Sequence, residues 1–430
     1  MDYGNIVDFA LIRLAKGGAA LAGADLRRTE KSELNVDAGK VSLFRSTAET
    51  ALTLTAIVGG GRGTVTVGGD DTDSVALAVD QALTLAASAA PDPANDIAPK
   101  AAARFEHGPQ SPDAEGMYDR LAEFVAYSGA TYPYTKLEQC IFDFTKTERI
   151  YRNSNGADFS ENSGIYKFSP LFTTKKGAKT SSFNYSEARR KALDAPLAEW
   201  GSIDTLLRQS AGQLDPKSLS GSFTGDIIIT PDFMTEIVGM LEDVFLGERC
   251  LVSGKSPWRD SLGRRVAASG FSLRSCPRSG LIADGNCVTQ DGFEAADCAI
   301  LEDGILREFL LGLYGSNKTG KRRTPSGSGG WIVDPGRESL EDLVASVERG
   351  ILLCRFSGGM PDDSGDFSGV AKNSYHIEHG KIVGPICETM VSGNLASLLE
   401  SISGISRERV DFGTELYPWV KSGGVTISGR

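Results

Sequence analysis

With 430 residues, 40% of them hydrophobic and 23% charged, and a formal net charge of −11, the chain has the make-up of a globular protein of two or three domains. Its acidity excludes the nucleic-acid phosphate backbone as a principal partner, because that recognition needs clustered lysine and arginine. No stretch reaches the roughly 20 apolar residues of a membrane helix, the opening MDYGNIVDFA is acidic where a secretory leader is basic, and the seven cysteines include no Cys-x-x-Cys pair; the expectation is a cytoplasmic protein with reduced thiols and no membrane contact.

In chain order, the pattern predicts an α+β protein. Residues 1–90 read as an α/β domain: a helix over 4–18, then a strand alternating through Leu52, Leu54, Ala56 and Val58. A Gly-rich turn leads from it into Val65 and Val67, which makes a hairpin, and a helix follows the acidic, hydroxyl-rich start DDTDS. Residues 91–114, with Pro91, Pro93, Pro99, Pro109 and Pro112, read as an irregular connection in which His107 is a surface residue. Residues 115–215 form a mixed section: a helix near 115–127, a β meander with the turn signal Asn155-Gly156, and a short helical segment around 187–212. Residues 216–430 are dense in glycine and short strands and predict a mostly β domain with helices near 232–247, 338–349 and 394–402.

Chemistry has few places to reside. Two of the three histidines lie in SYHIEHG (374–380), where Tyr375 and Ile377 alternate with His376 and Glu378. This predicts a strand turning at His379-Gly380, a pair suited to positive φ, and so a hairpin. The competing reading is a metal site of His376 and His379 with Cys387, serving an independent metal-dependent peptidase. The run IIITPDFMTEIVGMLEDVF predicts a buried strand, Ile227 to Ile229, feeding an amphipathic helix with Thr230 as cap and Pro231 in its first position. That helix holds no histidine, and its Glu236 and Asp243 read as solvated carboxylates. No complete Gly-x-Ser-x-Gly nucleophile motif is present, and SGSGG (326–330) reads as flexible loop. Cys276, Cys287 and Cys298 read as small apolar residues, and Lys318 with Lys321, Arg322 and Arg323 as a solvated loop.

The segments GDFSGVAKNSYHIEHGKIVGP, ETMVSGNLASLLESISGIS and YPWVKSGGVTISG closely resemble the TldD/PmbA family, also known as modulators of DNA gyrase. Weaker similarity extends to LNVDAGKVSLFRS near the start. The resemblance implies one of two subunit types. The TldD type is a metallopeptidase whose helix carries His-Glu-x-x-x-His with a later cysteine; the PmbA (TldE) type lacks these groups and pairs with it. Here Gly239, Met240 and Val244 stand at the His, Glu and His positions, and ELYPWVKSGG lacks the cysteine. The resemblance therefore implies a PmbA-type subunit with no catalytic, cofactor or metal residues of its own. It further implies a TldD-like partner holding zinc, unfolded peptides as substrate, homodimers when isolated, and any effect on gyrase exerted indirectly through proteolysis.

Overall fold

The computed structural model describes residues 3–37 and 39–430, and the fold is α+β. The first half is built on one twisted sheet. Its strands are β1 (Leu21–Asp37), β2 (Lys40–Val58), β3 (Gly61–Gly68), β4 (Ala102–His107), β5 (Thr135–Asn153) and β6 (Asp158–Lys176), in the order β3-β2-β1-β5-β6-β4. Hairpins join β1 to β2, β2 to β3, and β5 to β6, the last through Asn155-Gly156. β1 pairs with β5 from Gly23↔Asn153 to Asp37↔Gln139, so the sheet runs unbroken across residues 91–114. That stretch is not wholly irregular, because β4 lies in it and runs parallel to β6. Strands from both sides of the Pro-rich connection therefore share one sheet, a pairing that local alternation could not reveal.

Side-chain parity explains what each face does. On β1, β2, β5 and β6 the apolar residues that take the helices are mainly even-numbered: Leu26, Leu52, Leu54 and Ala56 lie under α1 (Tyr3–Lys16) and α2 (Thr72–Ser88). Phe142, Phe144 and Phe168 lie under α3 (Ala114–Thr131) and α4 (Ile203–Gly212). The odd-numbered positions Asp25, Thr53, Thr145, Arg149 and Glu161 are polar and face the second half of the chain. The predicted meander is a single long β5–β6 hairpin with three very short strands added to β6, and the helical segment near 187–212 begins as a strand at Ala188–Arg190, with its α-helix confined to Ile203–Gly212.

The second half closes around a 14-stranded sheet. At its centre β7 (Ser222–Ile229) runs parallel to β8 (Arg349–Leu353) and antiparallel to the last strand, Glu415–Ser428. Ile227 and Ile229 enter the main core, as the apolar run predicts, and α5 (Pro231–Leu241) follows directly. α5 continues into a π turn over Glu242–Leu246, with the Gly247 amide donating to the Glu242 carbonyl at 2.7 Å. Tyr417, on the last strand, is fully buried and its hydroxyl has no hydrogen-bond partner. An unpaired buried hydroxyl costs about 1 to 3 kcal/mol. Tyr417→Phe removes it with the ring unchanged, so the denaturant midpoint of the variant should rise, equivalent to about 1 kcal/mol.

Candidate functional site

The polar face of the first sheet and the second half enclose a cleft made of two cavities of about 480 and 430 Å³ that share Gln290, Gly327 and Ser328. Asp25, Thr53, Thr55 and Tyr151 form one wall; Glu242, Glu248 and residues 310–313 form the other. Arg149 holds the walls together. Its Nε and Nη2 donate to the Asp25 carboxylate at 3.0 and 2.8 Å, while Nη1 donates to the Val288 carbonyl at 2.6 Å and Nη2 to the Thr289 carbonyl at 3.1 Å. Within the second-half wall, Arg323 donates to Asp291 at 2.6 and 2.8 Å. The basic run is also largely ion-paired, though at the surface: Lys318 meets Asp92 and Arg322 meets Glu308, each at 2.8 Å.

The Gly-rich loop at 326–330 lines this cleft on a fixed course. Residues 327–330 all have positive φ, including Ser328 at 83°, a rare state for a side-chain-bearing residue. The loop is held by Ser275 Oγ donating to the Gly329 carbonyl at 2.6 Å and by the Cys276 amide donating to the Gly330 carbonyl at 2.7 Å. Opposite it stands Glu242, whose carboxyl burial pushes above its ordinary pKa despite a contact with Ser328.

The α5 helix passes beside the cleft without offering it a metal ligand. Gly239 has open space where a side chain would project, while Met240 and Val244 are 4% and 9% exposed and belong to the main core. Glu236 is half-buried, and burial raises its pKa; Asp243 is exposed and pairs with Arg249 at 3.3 Å.

SYHIEHG forms the predicted hairpin between β9 (Tyr375–Glu378) and β10 (Lys381–Cys387), with β8 alongside β9. His379 and Gly380 sit at its tip with φ of 50° and 73°. His379 Nδ1 meets the Glu348 carboxylate at 2.6 Å, His376 lies opposite Gly384, and the Cys387 thiol points to the Pro216 carbonyl at 3.6 Å. The three do not converge. Among the described residues, the one group whose ligand atoms lie close enough for a shared ion is His107, Glu161 and Cys287, all within 4.8 Å of one another. His107 is thus no free surface residue: Nε2 lies 3.1 Å from Glu161 Oε1, which also accepts the Cys287 amide at 2.9 Å. Their separation in sequence, with Cys287 more than 120 residues from Glu161, hid this cluster; its only signal is the β4–β6 register, Phe105↔Glu161, which places odd-numbered residues of both strands on one face.

A sequence profile described as the PmbA/TldA metallopeptidase C-terminal domain matches residues 222–429. Over 436 residues the chain is 24% identical to the Metalloprotease PmbA of Escherichia coli O157:H7, covering 96% of this chain and 94% of the relative. Residues 222–429 thus carry a PmbA/TldA metallopeptidase C-terminal domain. A Zinc metalloprotease TldD homolog from Saccharolobus solfataricus is 30% identical over 135 residues, covering 29% of this chain and 30% of that protein. The fold matches the crystal structure of TldE from Thermococcus kodakarensis with a TM-score of 0.81 at 18% identity, over 99% of both chains. In a PmbA/TldD fold the helix after β7 is where the resemblance puts a zinc ion. The donor set there does not suit one: glycine has no side chain, and buried methionine and valine supply neither imidazole nor carboxylate.

Proposed function

We propose that this chain is a non-catalytic, PmbA/TldE-type subunit of a cytosolic TldD/TldE-type metallopeptidase complex that acts on unfolded peptides, with the catalytic zinc held by a TldD-type partner. The observation that carries this reading is the combination on α5: the strand, the helix, the π turn and the cleft beside them are all present, while positions 239, 240 and 244 bear no metal-binding or proton-accepting group. A chain that keeps the frame of a peptidase and lacks its chemistry is suited to supplying wall and interface. The cleft offers threonine, serine and tyrosine hydroxyls among acidic and basic side chains, polar partners suited to extended peptides, which bind through main-chain hydrogen bonds.

Co-expression with a TldD-type chain should give a single complex on gel filtration. Chelator-sensitive cleavage of an unfolded peptide should need both chains, and the isolated PmbA-type chain, as monomer or homodimer, should leave the peptide intact. Two proteins that elute apart, or cleavage by this chain alone that a chelator stops, would refute the proposal.

A further inference from the structure

We propose that His107, Glu161 and Cys287 form a binding site for a zinc-class divalent cation at the seam between the two halves. The three residues come from the end of β4, from β6 and from the loop at 285–288, so an ion held by all three would tie the first sheet to the second half. The donor types select the ion: imidazole, thiolate and carboxylate together suit zinc or cobalt(II), and two of the three are poor ligands for magnesium or calcium.

The site is built rather than incidental. Cys287 is 9% exposed and Glu161 7%. Two glycines fix the backbones that carry the ligands. A Cβ on Gly164 would stand 1.7 Å from the Pro109 carbonyl oxygen, and one on Gly285 would stand 1.9 Å from that of Pro277, so at both places neighbouring segments press closely where only glycine fits. Phe105, Phe159 and Val288 pack against one side of the cluster and keep it dry. On the other side His107 and Cys287 open on a cavity of about 330 Å³, which has room for a water as fourth ligand.

Bond lengths of about 2.0 to 2.3 Å put the ligand atoms of a tetrahedral zinc about 3.3 to 3.8 Å apart. His107 Nε2 and Glu161 Oε1 are already at 3.1 Å, and one ring nitrogen, one carboxylate oxygen and the thiol all lie within 4.8 Å of one another, about 1 Å beyond the tetrahedral spacing. Without an ion, burial and the neighbouring Glu161 charge push the Cys287 thiol up to about 12, so it is protonated at neutral pH. Burial alone would raise the Glu161 pKa, yet the contact with His107 and the Cys287 amide outweigh it and hold the carboxyl below its ordinary value. Metal binding would thus displace the Cys287 thiol proton to solvent and keep Glu161 ionised. The two anionic ligands neutralise a divalent ion, so the nearby Arg278 and Lys191 face no net positive charge.

The test is titration of the chelator-stripped full chain with cobalt(II). The expected result is one cobalt per chain with a thiolate-to-cobalt charge-transfer band and tetrahedral visible bands, both erased by one equivalent of zinc. Cys287→Ser should abolish the charge-transfer band, and His107→Gln should weaken binding more than about tenfold, the least lost when even a ligand-orienting group is removed. Near-ultraviolet circular dichroism checks that the variants fold; if the serine variant does not, the glutamine variant decides. Substoichiometric binding, a cobalt spectrum with no thiolate band, or a band that survives Cys287→Ser would overturn the assignment and leave the cluster as a hydrogen-bonded contact only.

Discussion

Arg149→Met is expected to destabilise the protein by about 3 to 5 kcal/mol, the loss typical of a buried ion pair broken from one side. The side chain is 5% exposed and makes five hydrogen bonds to three residues from the two halves of the molecule. Methionine keeps most of the volume, so packing is not what the substitution removes. It leaves the Asp25 carboxylate without its partner, at 24% exposure, and deprives the Val288 and Thr289 carbonyls of their donors. Adding Asp25→Asn should recover part of the loss, because the stranded charge is then gone while the two carbonyls remain unpaired. Denaturant melts of the two single variants and the double variant measure this. A single-variant loss below about 1 kcal/mol, the scale of an exposed pair, would show that Arg149 does not brace the seam.

Arg149 also shows where the sequence stops being legible. Local alternation is written into the chain, so the β2–β3 hairpin, the Asn155-Gly156 turn and the His379-Gly380 turn can all be read from neighbours a few residues apart. The helix after Ile227 to Ile229 is equally legible, since its cap, its proline and its apolar stripe lie within one short run. What joins β1 to β5 is a pairing across more than 100 residues, and no local pattern encodes it. For the same reason Arg149 and Asp25, or His107, Glu161 and Cys287, look like unrelated polar residues until the register of the sheet sets them side by side. The proline count between 91 and 112 pointed to irregular structure, and β4 fits there because the prolines fall outside Ala102–His107. The missing ligands on α5 were legible only through the family resemblance; periodicity marked them as ordinary helix positions.

Grafting the TldD-type residues onto α5, as Gly239→His, Met240→Glu and Val244→His together, is expected to unfold the protein sooner rather than create a peptidase. The three positions differ in environment. Gly239 has nothing within 4 Å of a built Cβ, and a glycine inside a helix costs up to about 1 kcal/mol relative to other residues, so Gly239→His alone should be neutral or slightly stabilising. Met240 is 4% exposed in a core that also holds Ile237 and Leu241. A glutamate there loses the methionine packing and brings an unpaired charge into apolar surroundings, together at least about 3 kcal/mol. Val244, in the π turn, is 9% exposed beside the fully buried Phe245, and an imidazole overfills that space. The TldD-type motif therefore needs more than three residues; it needs the neighbouring core cut back to admit them. Melting curves, zinc content and a peptide-cleavage assay on the single and triple variants, made in a Cys287→Ser background so that no zinc is held at the seam, test this directly. A triple variant as stable as the parent that binds one zinc would show that Met240 and Val244 face the cleft, and that the lack of imidazole and carboxylate donors at these positions of the helix rests on side-chain identity alone.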